Sequence, residues 1–239
     1  MRQIVLLGTR AILALVALTL TGSGKAPPAT QAAAQDKAVV ELFTSQGCSS
    51  CPPANANLAT ISDRPGVLAL SFSVTYWDQL GWKDTFAQPA FTARQVNYEP
   101  RLDHDGPFTP QIVVDGRADT IGNRLAAVEA LIAGSHRGDR PTLTIGGNSV
   151  SIGAGKAPGA GADVWFVTYD PRVVDVPIGR GENAGRTLPH KNVVRRLERI
   201  GSWRGSDASF PLPAPESGLR RAVLVQAPQG GPILAAATD

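Results

Sequence analysis

Apolar and polar positions fall into two regimes along the chain. Up to residue 132, short β-branched or aromatic runs alternate with segments of helical spacing; after residue 141 only short strand-like runs recur. Val39 to Phe43 reads as a buried strand, followed by the turn Thr44-Ser45-Gln46-Gly47. Pro52 and Pro53 then suit the first turn of a helix, where a missing N–H costs nothing and φ is preset. That helix runs through Ala54 to Ile61, with Asn55 and Asn57 expected to face solvent. Val67 to Val74 predicts a second buried strand, Tyr76 to Asp84 a loop, and Pro89 to Tyr98 a helix. Gln111 to Val114 and Arg117 to Ile121 form a hairpin about Asp115-Gly116, and Leu125, Val128, Leu131 and Ile132 line one face of a further helix.

Beyond Arg140-Pro141 the expected strands are Thr142 to Ile145, Ser149 to Ile152 and Asp163 to Tyr169. A hairpin about Pro228 to Pro232 joins Ala222–Gln226 to Ile233–Ala236. Val193, Val194, Leu197 and Ile200 fit helix spacing, but their β-branched content and strand-rich surroundings favour a long strand. The organisation expected is a leader and linker over 1–34, one domain over 35–139 and a β-rich domain over 140–239.

The amino terminus carries Arg2 and Arg10 before an apolar run from Ala11 to Leu20, and its first acidic residue is Asp36. Such a run is shorter than the roughly 20 residues a membrane span needs. It has the make-up of a secretory signal, with Ala32-Ala33-Ala34 as a small-residue cleavage site. The expectation is therefore a periplasmic or secreted protein, free of the membrane once the signal is cut. Removing Arg2, Arg10 and Lys25 with the leader leaves 20 of the 23 basic side chains against 20 acidic ones. The basic excess belongs to the leader, no basic tract remains to follow phosphates, and nucleic acid is not an expected partner.

Cysteine usage changes the picture most. An exported chain normally spends cysteines on staples between distant segments. Here the two cysteines sit in one turn, Cys48-Ser49-Ser50-Cys51, and closing so short a loop removes little entropy from the unfolded chain. A thiol reacts as its thiolate, and the unpaired N–H groups at a helix start favour that negative charge. Cys48 is placed to attack and Cys51, one turn inside, to resolve the mixed disulfide. Haem attachment needs histidine after the second cysteine, and Pro52 stands there. Zinc needs four ligands, while His104, His136 and His190 are scattered; copper(I) held by two thiolates and a passive disulfide stay open. No cofactor and no resident metal are expected.

The run Val39 to Phe43 before the cysteine pair, with Thr109-Pro110 opening a later strand, resembles the thioredoxin superfamily. That resemblance implies a cis-proline at Pro110 that helps bind substrate, with Thr109 beside it. Five segments are similar to the family named domain of unknown function 1223: Glu41 to Pro53, Tyr76 to Asp84, Phe91 to Gln95, Thr109 to Gly116, and Gly181 to Leu188. This resemblance implies a thioredoxin-like fold and brings no established reaction. No tryptophan precedes Cys48 and no proline separates the cysteines, so the direction of exchange does not carry over.

The fold class expected is thus an α/β thioredoxin-like domain followed by an antiparallel, sandwich-like β domain. The function expected is thiol–disulfide exchange with protein or small-molecule thiols and disulfides. The alternative is a non-catalytic binding module, a copper(I) carrier among its forms. Glu41 stands either as a proton relay to Cys51 or as a structural carboxylate. Tyr76, Trp77 and Trp82 form either an aromatic rim for substrate or the packing of a long loop. Arg186 and His190 read first as turn residues. Oligomeric state is open.

Overall fold

The structure, a computed structural model, describes residues 32–33, 37–135 and 140–239. The signal and cleavage site expected within 1–34 lie outside the described residues, apart from Ala32–Ala33, as does His136. Helices and strands follow in this order: β1 (Ala32–Ala33), β2 (Ala38–Thr44), α1 (Pro52–Ser62), β3 (Val67–Ser73), α2 (Pro89–Val96), α3 (Glu99–Leu102), β4 (Gln111–Val114), β5 (Ala118–Ile121) and α4 (Leu125–Ala133). Then come β6 (Leu143–Gly146), β7 (Ser149–Ile152), β8 (Ala162–Asp170), β9 (Val174–Pro177), β10 (Thr187–His190), β11 (Val193–Trp203), β12 (Ala208–Pro211), β13 (Arg220–Gln226) and β14 (Ile233–Thr238). A short 3₁₀ turn, Asp78–Leu80, interrupts the expected loop.

The expected fold class is corrected. In place of a thioredoxin-like α/β domain followed by a separate antiparallel sandwich, one mixed sheet runs through both halves in the order β14-β13-β8-β11-β3-β2-β4-β5. The protein is mostly β, with short helices. The joint is β11 beside β3, parallel at Val193 and Ser71. Asn192 seals it: its carbonyl accepts the Ser71 N–H at 2.9 Å and its amide donates to the Ala69 carbonyl at 2.8 Å. The physical reason for the miss is that β3 is hydrophobic on both faces, a pattern that says it is buried but not which strand flanks it.

Alternation along β2 assigns the two layers. Val39 and Phe43 point into a core with Phe91 and Tyr98, on the side of α2. Val40 and Leu42 point the other way, against Ala54, Leu58, Ile61, Val128 and Ile132 of α1 and α4. At the far end a smaller sheet, β1-β6-β7-β12, packs its Leu143, Ile145, Val150 and Ile152 on Val164, Phe166, Val223 and Val225 of the large one. β9 and β10 pair only with each other, as a separate ribbon.

The α2-side core holds a buried ion pair. Arg94 Nε donates to Glu41 Oε1 at 2.5 Å, Tyr98 Oη donates to Glu41 Oε2, and Gln226 Nε2 donates to Tyr98 Oη at 3.0 Å. Arg94 also lies over the rings of Phe72, Tyr98 and Trp165. Removing one partner leaves the other charge desolvated. Arg94→Leu is therefore expected to lower the unfolding free energy by about 3–5 kcal/mol at neutral pH, read by urea denaturation; a loss under 1 kcal/mol contradicts this.

Candidate functional site

The turn after β2 brings the cysteines to the start of α1. Cys51 is the residue before the first helical turn, Pro52 and Pro53 occupy that turn, and the Cys51 carbonyl accepts the N–H groups of Ala54 and Asn55. Helix and proline thus meet as the spacing predicts. Both cysteines are free thiols and both are 0 % exposed.

The two sulfurs differ in electrostatics. The Cys51 thiol, directed at Cys48, is the largest influence drawing the Cys48 thiol down to about 6, against the opposing effect of burial; Ser50 and Thr109 add to it. Ser50 Oγ shares a hydrogen bond with Cys48 Sγ at 3.2 Å. Burial, then the neighbouring Cys48, pushes the Cys51 thiol far up. The thiolate is thus favoured on Cys48 and the protonated thiol on Cys51.

Around the pair, the Thr109-Pro110 peptide is cis, and Pro110 is buried. Thr109 Oγ1 is buried without a hydrogen-bond partner. Tyr76 Oη donates to Gln95 Oε1 at 3.2 Å, and burial raises its pKa, with the two cysteine sulfurs adding to the rise. Trp77 packs its backbone and Cβ against Gly47, with its indole N–H buried and unpartnered. Trp82 Nε1 donates to Gln46 Oε1 at 2.9 Å. Gln46 is the hub of this wall, since its own N–H donates to Asp84 Oδ2 at 2.7 Å and its Nε2 to Thr85 at 2.9 Å.

Glu41 is not brought to the pair. It lies on the sheet face opposite α1, with its oxygens on Arg94 and Tyr98. A different polar chain lies under Cys51. Thr44, whose hydroxyl sits beside Cys51, donates to Asn55 Oδ1 at 2.9 Å, and Asn55 Nδ2 faces His190 Nδ1 at 3.4 Å. Asn55, expected in solvent, is 5 % exposed because this chain needs an amide that accepts on one side and donates on the other. Burial lowers His190 to about 4, with Arg195 adding to the effect, and its Nε2 has no partner.

Sequence reasoning also passed over three residues drawn from both halves of the chain. Asn183, fully buried, donates its amide to the carbonyls of both Gln46 and Cys48 at 2.9 Å. Glu182 accepts the Ser49 N–H at 2.9 Å, and the Ser49 hydroxyl first, then that N–H, hold its carboxyl below the usual range. Asp84 receives Gln46 and Phe86 N–H groups, yet burial raises its pKa overall. Glu182 and Asn183 fall in a segment quoted for family likeness, which was the available signal; its position over the cysteines was not in the pattern. Arg186 serves that segment by donating to Asn183 Oδ1 at 2.7 Å. Among the described residues no group of three or more His, Cys, Asp or Glu could hold a metal, and no helix is long and apolar enough to cross a membrane.

The family described as "Protein of unknown function (DUF1223)" matches residues 39–226. Among solved structures, the crystal structure of protein AGR_C_4864 from Agrobacterium tumefaciens is similar at 31% identity and a TM-score of 0.69, over 84% of this chain and 92% of that one. HBP35 of Porphyromonas gingivalis is similar in fold, at 14% identity and a TM-score of 0.57, over 85% of this chain and 74% of that one. No curated protein matches.

His190 gives the site a pH signature. Its folded value of about 4 lies below the 6.5 of a free imidazole, so the unfolded chain takes up the proton first and stability falls as pH drops from 6.5 towards 4. Relative to His190→Phe, the wild type is expected to lose about 3 kcal/mol over that window, read from urea unfolding at both ends. A pH-independent difference between the two proteins contradicts a buried neutral imidazole.

Proposed function

The chain belongs to the DUF1223 family, and within it we propose that Cys48 and Cys51 are a thiol–disulfide exchange centre. The observation that carries this reading is the asymmetry of the pair: Cys48 drawn down to about 6 by a neighbour that itself stays protonated. Such a split is what exchange requires, since one sulfur must attack as thiolate while the other waits. The kinship with thioredoxin-type proteins proposed here is one of local design, a Cys-x-x-Cys at a helix start beside a cis-proline, and not of the whole sheet.

In the reductive direction, the Cys48 thiolate attacks one sulfur of a substrate disulfide. A Cys48–substrate disulfide forms and the other substrate sulfur leaves as thiolate. Cys51 then gives up its proton and attacks Cys48 Sγ, closing the Cys48–Cys51 disulfide and releasing the second substrate thiolate. Two electrons pass to the substrate, and its two thiolates take up the protons. The reverse sequence oxidises a dithiol by the same steps. Thr109, whose hydroxyl lies beside Cys48, and its cis peptide bond to Pro110 are the proposed contacts for a substrate segment at the attacking sulfur. The partners are thiols and disulfides of an exported, oxidising setting, and no cofactor is called for.

Two measurements test this. Cys51→Ser, exposed to a disulfide, is expected to accumulate a mixed disulfide on Cys48 by mass spectrometry, while the wild type cycles between dithiol and disulfide in glutathione buffers; a pair that never cycles refutes exchange. Second, alkylation of Cys48 should rise with pH about a midpoint near 6. Cys51→Ala should move that midpoint upwards, because the thiol that stabilises the thiolate is gone; an unmoved midpoint removes the asymmetry from the account.

A further inference from the structure

A hairpin arm from the second half of the chain is tied to the backbone on both sides of Cys48. The β9–β10 ribbon stands outside the large sheet; it rests on the 82–86 segment through a small cluster of Val176, Ile178 and Leu188 with Trp82 and Phe86, and the end of β10 rests on α1, where buried His190 meets Asn55. Its tip is closed on itself: Ile178 N–H donates to the Arg186 carbonyl and Gly185 N–H to the Ile178 carbonyl, both at 2.8 Å. Gly181, at φ +77°, lets the tip lie flat on Trp82, where a Cβ would come within 3.3 Å of the Trp82 Cβ. The tip is a preformed body, tied to the cysteine turn by Glu182 on Ser49 N–H and Asn183 on the Gln46 and Cys48 carbonyls.

Exchange needs a substrate sulfur within bonding reach of Cys48, about 2.0 Å at completion. At 0 % exposure neither cysteine admits one. Something around Cys48 must therefore move, and the arm's tip, exposed apart from Asn183 and held to the cysteine turn by hydrogen bonds, is the element that can open locally while β10 stays on α1. Lifting frees one donor, Ser49 N–H, and two acceptors, the Gln46 and Cys48 carbonyls. An extended polypeptide supplies alternating C=O and N–H groups that meet both needs. A small disulfide without a backbone replaces none of these bonds, and the two buried carbonyls lose their donor.

We propose that the β9–β10 arm makes this centre selective for extended polypeptide substrates, which displace Glu182 and Asn183 by taking over their hydrogen bonds. The inference rests on the exchange reading, but access to Cys48 is measurable without it.

The test uses Cys51→Ser as the single-thiol parent, alone and with Glu182→Ala or Asn183→Ala. Glu182 is exposed, so its variant is expected to fold as the parent does. Iodoacetamide should label Cys48 about tenfold faster in the arm variants. Two disulfides with the same leaving group are then compared: bis(hydroxyethyl) disulfide, and an unstructured peptide whose one cysteine carries mercaptoethanol. The parent should form adduct with the peptide at least about tenfold faster than with the small disulfide, and the arm variants should narrow that ratio by accelerating the small one. Equal labelling in parent and variants, or no preference for the peptide in the parent, overturns the proposal. Faster labelling in the variants with no adduct from either disulfide refutes exchange itself while leaving the arm as the cover of the thiols.

Discussion

The seam between β11 and β3 is the constraint on which the thiol site depends. Asn192 makes it with two hydrogen bonds across more than a hundred residues of chain, at 2.8 and 2.9 Å. It adopts a left-handed backbone to do so, with φ +53°, a conformation asparagine tolerates better than most residues. Two residues upstream, β10 ends at His190, against α1. The same short stretch thus fixes where the second half enters the sheet and brings the arm over the cysteine turn.

Local pattern made much of this legible. The strand–turn–helix around Cys48, the hairpin at Asp115-Gly116 and the long strand from Val193 all lie where the residues place them, while the cis peptide before Pro110 was expected only from the resemblance. These depend on neighbours in sequence: proline geometry, turn chemistry and β-branched runs. The sheet order was not legible, because a strand apolar on both faces announces burial without naming its flank. β9, β10 and β12 were passed over for a related reason. They are four-residue strands bounded by prolines and glycines, and their partners rather than their composition make them strands.

The buried polar groups divide in the same way. Glu41 signalled itself as an acid in an apolar strand, but only the pleat of β2 decides that it meets Arg94 instead of Cys51. The site side of the sheet carries Thr44, Asn55 and His190, residues common enough in turns and helices to pass as solvent-facing. Thr44 and Asn55 are buried because the next residue of the polar chain satisfies each, and His190 closes it with its Nε2 unpartnered. Two polar systems thus sit back to back on one sheet, one anchoring α2 and the other underlying the resolving thiol.

A second seam joins the two halves at the β4–β5 turn. The Ile233 N–H donates to the Asp115 carbonyl at 2.8 Å, and a Cβ on Gly116 would stand 2.7 Å from the Gly231 carbonyl. The last strand therefore docks on the hairpin that follows Pro110, just as β11 docks on β3. With two welds between its halves, this polypeptide cannot be handled as a cassette assembly. Excising the second half would strip β3 of a neighbour and orphan a carbonyl at Asp115, so any engineering has to take the whole sheet as its unit.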